Sequence, residues 1–420
     1  MTKKLLGTTA LMAVSFVAAQ EVSAAAVAPA LSISGNARFQ AMGVKNSAKG
    51  SSAADGDAAA NPRNGVGSYG FTQTGEMRFA VAGMAKNGLE YNYLIALSGN
   101  TGSSTSVSEN RIEFKGSWGA LQLGDTIGAQ DLMMVDAVNV IGGTGGFDGS
   151  WLDAFTQPAG VFAGDSMVGD PGDATKMSYF TPRVAGFQFG LSFTPSSRHE
   201  GAEPLTQSAD TSSTVSNVIT RKNFGGALNY THAFDEVGVS ATGAFLSGDS
   251  KASTEENAAK VRAYQIGGLV TYRDFQFGAG YIDNKKSTLV DSLRSLGTDA
   301  GKAWSFALGY TYEASKFTVG YQQSKTKVAT GASDAKGKFW SFTADHTLAP
   351  GLGVYAEADF IRFTVPQAAT GGDASVNGGT AVFASGASSA PVPTALGTPG
   401  KKSNTGSVFI LEIGRASCRE

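Results

Sequence analysis

Apolar side chains recur at every second position from Leu31 onward, and the segments with this period are joined by connections that alternate between short and long. Leu31, Ile33, Ala37, Phe39 and Ala41 share one parity, while Ser32, Ser34, Asn36, Arg38 and Gln40 share the other. Successive side chains of a strand point to opposite faces, so the segment is a ribbon with one apolar and one polar face. Met77, Phe79 and Val81 against Glu76 and Arg78 repeat the pattern, as do Leu89, Tyr91, Tyr93, Ile95 and Leu97 against Glu90 and Asn92. Between these two ribbons Lys86-Asn87-Gly88 predicts a tight hairpin of type I′, which needs positive φ at both central residues.

The same reading places sixteen strands, at about 31–42, 71–84, 89–97, 110–116, 120–125, 175–181, 187–194, 223–233, 237–246, 262–272, 275–282, 303–312, 317–324, 338–348, 352–363 and 406–411. Short connections fall near Asn87, Trp118, Val184, Asp235, Asp274, Ala314 and Pro350. Long polar ones fill 43–70, 98–109, 126–174, 195–222, 247–261, 283–302, 325–337 and 364–405. A soluble sandwich has no reason to sort its loops by length, whereas an outer-membrane barrel has short periplasmic turns, long external loops and an even strand number. The expected fold is therefore all-β: a 16-stranded antiparallel transmembrane β-barrel. A barrel of sixteen strands is too wide for side chains to fill, so its lumen holds water.

Composition agrees with this and excludes other classes. Beyond the N-terminal segment no window approaches 18 uninterrupted apolar residues, so the chain cannot cross a membrane as helices. Its mean hydropathy of -0.07 is an average over two opposed faces. The 33 basic and 35 acidic residues leave a net charge of -2, without the basic excess of a nucleic-acid binder. One Cys, Cys418, excludes a disulfide scaffold or a cysteine-based zinc site. His199, His232 and His346 lie in no G-x-S-x-G or H-E-x-x-H motif, and no metal, cofactor or catalytic residue is expected. The 55 Gly fit turns, loops and close backbone approaches.

At the N-terminus, Lys3 and Lys4 precede an apolar run over 5–19 and a small-residue site at Val22-Ser23-Ala24, which predicts a secretory signal peptide over 1–24.

The longest connection, 126–174, differs from the rest in content. It holds Asp131, Asp136, Asp148, Asp153, Asp165, Asp170 and Asp173 and no Lys, Arg or Glu. These acids are solvated in an external loop, metal-bound, or set opposite cations elsewhere. Candidate partners share the polar parity of the early strands: Arg38, Arg78, Arg111 and Lys115, mixed with Glu76, Glu90 and Glu113. A loop folded into the barrel sets its carboxylates against this wall and creates a transverse field across a narrow aqueous constriction. The apolar stretch Leu132, Met133, Met134, Val135, Val138, Val140 and Ile141 argues for a segment that packs against something. Gly142-Gly143-Thr144-Gly145-Gly146 lacks the helix start and Lys of a phosphate loop and reads as flexible. Asp148, next to it, has no EF-hand spacing around it.

Three stretches carry a family resemblance. Residues 110–125, NRIEFKGSWGALQLGD, resemble the porin segment that precedes the constriction loop. Residues 176–196, KMSYFTPRVAGFQFGLSFTPS, resemble a strand pair of alphaproteobacterial general porins, and 76–91, EMRFAVAGMAKNGLEY, is similar to the second hairpin of that group. The chain is thus similar to Gram-negative outer-membrane general porins. The resemblance implies a homotrimer of sixteen-stranded barrels in the outer membrane, bathed in its lipids, passing small hydrophilic solutes and ions by passive diffusion, with the third external loop folded inward. It also implies that Arg38 and Arg78 match basic residues of the family's eyelet and that Asp131 and Asp136 fall where its loop acids do. Asp131, Asp136, Asp148 and Asp153 are the candidate constriction acids, and Arg38, Arg78, Arg111, Lys115, Glu76 and Glu113 the candidate pore wall. A solute-selective channel and a structural or adhesive surface barrel are the alternative functions.

The C-terminus departs from the family, whose closing strand ends on an aromatic residue. After Ser407-Val408-Phe409-Ile410-Leu411 the chain reads EIGRASCRE, which resembles a translated sequencing adapter. The expected organisation is a signal over 1–24, a barrel over 25–411 and a non-native tail over 412–420.

Overall fold

The computed structural model describes residues 26–46, 68–99, 107–155, 157, 161–164, 166–197, 218–252, 257–365 and 404–414. The signal segment 1–24, Asp165, His199, Cys418 and most of the connections 43–70, 195–222 and 364–405 lie outside the described residues.

The strands are β1 (Val27–Asn46), β2 (Tyr69–Met84), β3 (Glu90–Ser98), β4 (Val107–Gly116), β5 (Gly119–Asp125), β6 (Thr175–Phe180), β7 (Phe187–Ser196) and β8 (Val218–Phe234). They continue with β9 (Val237–Ala252), β10 (Val261–Tyr272), β11 (Phe275–Asp283), β12 (Lys302–Tyr312), β13 (Ser315–Thr326), β14 (Ala335–Ala349), β15 (Leu352–Thr364) and β16 (Asn404–Ile413). Each pairs antiparallel with its sequence neighbours, and β1 pairs with β16 from Phe39↔Ile413 to Asn46↔Gly406, so the sheet closes without an edge. The sixteen expected strands and their order are all present. β16 runs through Glu412 and Ile413, two residues beyond the expected boundary at 411, and Gln40 Nε2 donates to the buried Glu412 carboxylate at 3.0 Å.

Alternation governs burial. On β12, Phe306, Leu308 and Tyr310 are exposed while Ala303, Ser305 and Ala307, on the other parity, are buried, and β14 repeats this with Trp340 and Phe342 against Phe339, Ser341 and Thr343. The exposed large apolar residues form one continuous face around the closed sheet; the polar residues line the other. Most strands extend past their expected ends on the side of the long connections. β8 starts at Val218 rather than 223 and β9 ends at Ala252 rather than 246, because Val218-Ile219-Thr220-Arg221-Lys222 and Ser247–Ala252 lack the period-two alternation while the ladder continues. The hairpin at Asn87-Gly88 is not type I′. Only Gly88 has positive φ, 78°; its N–H returns to Ala85 O at 2.9 Å, and Asn87 Oδ1 accepts from Leu89 N at 3.2 Å. The Asn side chain supports an ordinary turn that Gly88 then leaves through the left-handed region.

The two faces can be separated with two tryptophans. Trp340 is 46% exposed on the apolar face, whereas Trp151 is 1% exposed. In single-tryptophan variants with the other three replaced by Phe, reconstituted into bilayers of brominated phospholipid, Trp340 emission is expected to be strongly quenched and Trp151 emission not. Equal quenching of both contradicts the assignment of faces.

Candidate functional site

The connection between β5 and β6, residues 126–174, is seated on the polar face of the sheet. Its outward course follows the strands in order. Ala129 N donates to Ser192 Oγ of β7 at 2.7 Å, Thr242 Oγ1 of β9 donates to Met133 O at 2.7 Å, and Gln265 Nε2 of β10 donates to Asp136 Oδ2 at 2.9 Å. Gly142 N then donates to Thr318 Oγ1 of β13 at 3.3 Å and Gly143 N to Asp345 Oδ1 of β14 at 2.9 Å. Both the N–H and the hydroxyl of Thr144 donate to Glu357 of β15, at 2.5 and 2.9 Å. The segment returns past Thr326 Oγ1 of β13, which accepts from Phe162 N at 2.9 Å, and Asn284 Oδ1 beyond β11, which accepts from Val168 N at 2.8 Å.

Packing explains why it lies there. Met133, Phe162, Met167 and Val168 join one buried cluster with wall residues of β8 to β12, while Phe147, Trp151 and Phe155 join another with Phe339, Ile361, Phe363, Val408 and Ile410. The apolar stretch packs against the wall through Met133, Val135, Val140 and Ile141, which are buried, while Leu132 is exposed and Met134 and Val138 are half-buried. Glycines on the wall make room: a Cβ at Gly267 stands 2.5 Å from Val135 O, one at Gly278 2.7 Å from Asp136 O, and one at Gly320 2.5 Å from the Ile141 side chain. Side chains at these positions displace the segment, so part of the chain's glycine excess is the track on which it runs.

The run Gly142–Gly146 was expected to be a flexible loop and is instead an anchor. Gly143, Gly145 and Gly146 have φ of 60°, 117° and 62°, and the successive N–H groups of Gly143 and Thr144 donate to the protein's own Asp345 and Glu357, as backbone nests do to anions. Neither residue stood out in the sequence; the available signal was two carboxylates on the polar parity of consecutive strands, facing a connection rich in glycine.

The structure separates the four candidate acids. Asp131, Asp148 and Asp153 are exposed. Asp136 is 5% exposed and faces the wall, its carboxylate shared between Gln265 and Val138 N, so it fastens the segment instead of facing water. Protein encloses the accessible Asp131 carboxylate, and burial, reinforced by Asp170, Asp148, Asp136 and Asp173, pushes its pKa up to about 7. Burial and then Asp136 push Asp148 up to about 6.

The six wall candidates all fall on the polar face, as the register Ser34↔Arg78, Leu94↔Arg111, Asn92↔Glu113 and Glu90↔Lys115 requires. Five of them pair with one another. Arg78 meets Glu76 at 2.5 Å, Arg111 meets Glu109 at 2.6 Å and Glu113 at 3.4 Å, and Lys115 meets Glu113 at 2.7 Å. Arg38 Nε donates to Thr74 Oγ1 at 2.5 Å. Cations and carboxylates thus form an interleaved ladder across β2 and β4, as the mixed wall of the sequence reading requires, and Glu109 is the member that reading did not single out.

Lys176, at the start of β6, was also missed. It is 4% exposed, and its ammonium donates to Gly172 O and Ala174 O, both at 2.6 Å, and to Thr126 O, joining the two roots of the segment. Lys176→Met leaves these carbonyls without that donor, at a cost of about 1–3 kcal/mol each where water does not replace it. The expected result is an intact barrel whose segment 126–174 becomes sensitive to chymotrypsin at Phe155 and Phe162, read by limited proteolysis. Unchanged resistance argues against a latch.

Comparison with known proteins places this geometry. A family profile described as Gram-negative porin matches residues 7–365. Uncharacterised proteins of Rickettsia typhi and Rickettsia prowazekii are each 24% identical over 324 residues, covering 63% of this chain and 72% of theirs. Among solved structures, the chain is similar to the anion-selective porin from Comamonas acidovorans, with a TM-score of 0.57 and 14% identity over 92% of this chain and 100% of that one. It is also similar to the trimer form of OmpT from Vibrio cholerae, with a TM-score of 0.52 and 14% identity over 92% and 99% of the two chains. These two likenesses establish the fold. With a closed sixteen-stranded barrel and a family match over most of its length, the chain belongs to the Gram-negative porin family and is a passive channel of the outer membrane.

Proposed function

We propose that residues 126–174 lie within the lumen and narrow it to an eyelet, making this a general diffusion porin for small hydrophilic solutes with a preference for cations. The observation that carries this reading is where the segment's hydrogen bonds go. They reach polar-face side chains of β7, β9, β10, β13, β14 and β15, while the ladder on β2 and β4 remains on the facing wall. Water passing between them meets exposed Asp131, Asp148 and Asp153 on one side and alternating charges on the other, a field that admits polar solutes and favours cations. Arg78, Arg111 and Lys115 have carboxylates beside them, so Asp131 and Asp148 add negative charge that these cations do not balance. Residues 1–24 serve export in this reading, and neither cofactor nor catalysis enters it.

Selectivity then depends on pH with a fixed sign. Above pH 7 Asp131 and Asp148 are ionised, and between pH 7 and 6 first one and then the other takes up a proton. Reversal potentials across planar bilayers in a KCl gradient are expected to show cation preference at pH 8 that weakens through this window. Asp131→Asn with Asp148→Asn is expected to give the weakened value at every pH. A preference that stays unchanged in the double variant removes the eyelet from these residues.

A homotrimer fits a second feature. The apolar face of β14, β15, β16, β1 and β2 is recessed over Ala41, Gly43, Gly70, Ala344, Ala356 and Ala358, between Phe71, Phe342 and Phe409. Small residues let apolar surfaces approach closely in a bilayer. Filling the recess with Ala356→Trp and Ala358→Phe is expected to yield monomers on light scattering in detergent while conductance per pore is kept. Intact trimers would place the interface elsewhere.

A further inference from the structure

Arg183 lies in the short connection between β6 and β7, and its guanidinium stands over the polar face of the sheet. One terminal nitrogen donates to Gly186 O at 2.7 Å; the other donates to Gln188 Oε1 at 3.0 Å and to Asn229 Oδ1 at 2.7 Å. Unlike Arg78, Arg111 and Lys115, it forms no ion pair among the described residues. Gln188, Asn229, Thr242 and Gly267 are directly opposite one another on β7, β8, β9 and β10, so Arg183 heads a row that runs under the segment 126–174. The hydrogen bonds continue along this row. Asn229 Nδ2 donates to Thr242 Oγ1 at 2.8 Å, and Thr242 Oγ1 donates to Met133 O at 2.7 Å. Asn229 and Thr242 are each 4% exposed, so water has little access to these bonds.

Every donor in this chain points the same way, from Arg183 to the segment, and the direction is set at its head. A carboxamide offers an oxygen on one side and N–H groups on the other, whereas a guanidinium has donors only. Arg183 therefore faces the oxygen of Asn229, and Thr231 Oγ1 donates to the same oxygen at 3.2 Å. Asn229 must then present N–H to Thr242, whose one hydroxyl hydrogen is left for Met133 O. Turned over, the amide would set N–H against the guanidinium and take the Thr242 hydrogen on its own oxygen, leaving Met133 O without that donor. Bonds in such a chain polarise one another, and a charged donor at its head strengthens them. The carbonyl at its foot caps the helical turn Ala129–Leu132, where C-terminal carbonyls have no partner within the helix. Asp131 belongs to that turn, and its O accepts from Met134 N at 2.9 Å.

We propose that Arg183 is a positioning residue for the constriction: through Asn229 and Thr242 it fixes the Met133 carbonyl and so holds the Asp131 turn against the wall. This rests on the reading of 126–174 as the eyelet. Short connections lie on the periplasmic side, so a residue at the periplasmic end of the barrel sets the seating of a charge in the constriction. When the chain is broken the turn lifts and water reaches the Asp131 carboxylate. The enclosure that raises its pKa is then relaxed, and cation preference survives to lower pH.

The test uses the folded full chain, in detergent for hydrogen–deuterium exchange of peptides containing 129–136 and in planar bilayers for the pH profile of the reversal potential. Arg183→Met keeps the reach of the side chain without a donor, and Thr242→Val removes the hydroxyl. Both are expected to speed exchange at 129–136 by about tenfold while β8 and β9 exchange as before. Both are also expected to move the upper end of the pH window down by about half a unit. Asn229→Asp separates a relay from a brace. Its carboxylate pairs with Arg183 more strongly than the amide does, yet it takes the Thr242 hydrogen, so it is expected to behave like Thr242→Val. Thr242→Ser and Gln188→Met leave the chain intact and are expected to match the wild type. Unchanged exchange at 129–136 in Arg183→Met or Thr242→Val overturns the proposal. So does wild-type behaviour of Asn229→Asp, which reduces Arg183 to a brace of its own turn. A wild type with no pH window contradicts the eyelet reading instead, and the exchange rates still decide whether the chain holds the turn.

Discussion

A backbone N–H or C=O left unpaired in hydrocarbon costs several kcal/mol, and the rest of this structure depends on avoiding that cost. The seam between β1 and β16 completes the ladder, so no strand of the sheet is left as an edge. Once the sheet closes, its two faces meet different solvents, and the period-two alternation follows. Closure with sixteen strands also fixes the width, which leaves an aqueous lumen instead of a packed core. The conventional hydrophobic clusters of the molecule accordingly form where 126–174 meets the wall, for example around Trp151, Phe339 and Phe363.

That segment resolves a conflict between rigidity and polarity. An eyelet of the kind proposed must hold its charges at fixed positions in water, yet a loop rich in Asp and Gly has little tendency to hold any shape. The wall supplies the shape. Buried methionines and aromatics fix the segment's course, wall glycines set its height, and Asp345 and Glu357 hold its most flexible run by the backbone. Asp136 is spent on attachment, which leaves Asp131, Asp148 and Asp153 open to solvent. Burial and neighbouring carboxylates make the first two hold protons more tightly than free carboxylates do.

The fold was legible because it is written in a repeat. Alternation such as that of Phe306, Leu308 and Tyr310 is local and needs no knowledge of partners, and the sorting of loop lengths supplied the closure. The site was legible only in composition. Seven acids and an apolar stretch in one connection showed that 126–174 matters and that it packs, but a count of charges carries no direction. Whether Asp136 faces water or Gln265 depends on a contact between positions 129 apart in sequence. Lys176 looked like an ordinary strand residue because three of its acceptors are backbone carbonyls, which no side-chain pattern reveals. The Gly142–Gly146 run looked flexible because its ordering groups belong to β14 and β15, some 200 residues away.

The central claim is that the segment between β5 and β6 stands in the path of the solute. It is tested most directly by single-channel recording of an Asp131→Cys, Cys418→Ser variant exposed to a bulky methanethiosulfonate reagent. The expected record is a stepwise fall in conductance as each pore is modified, reversed by reductant. Complete modification with no change in current contradicts the account, because Asp131 then lies outside the conduction path.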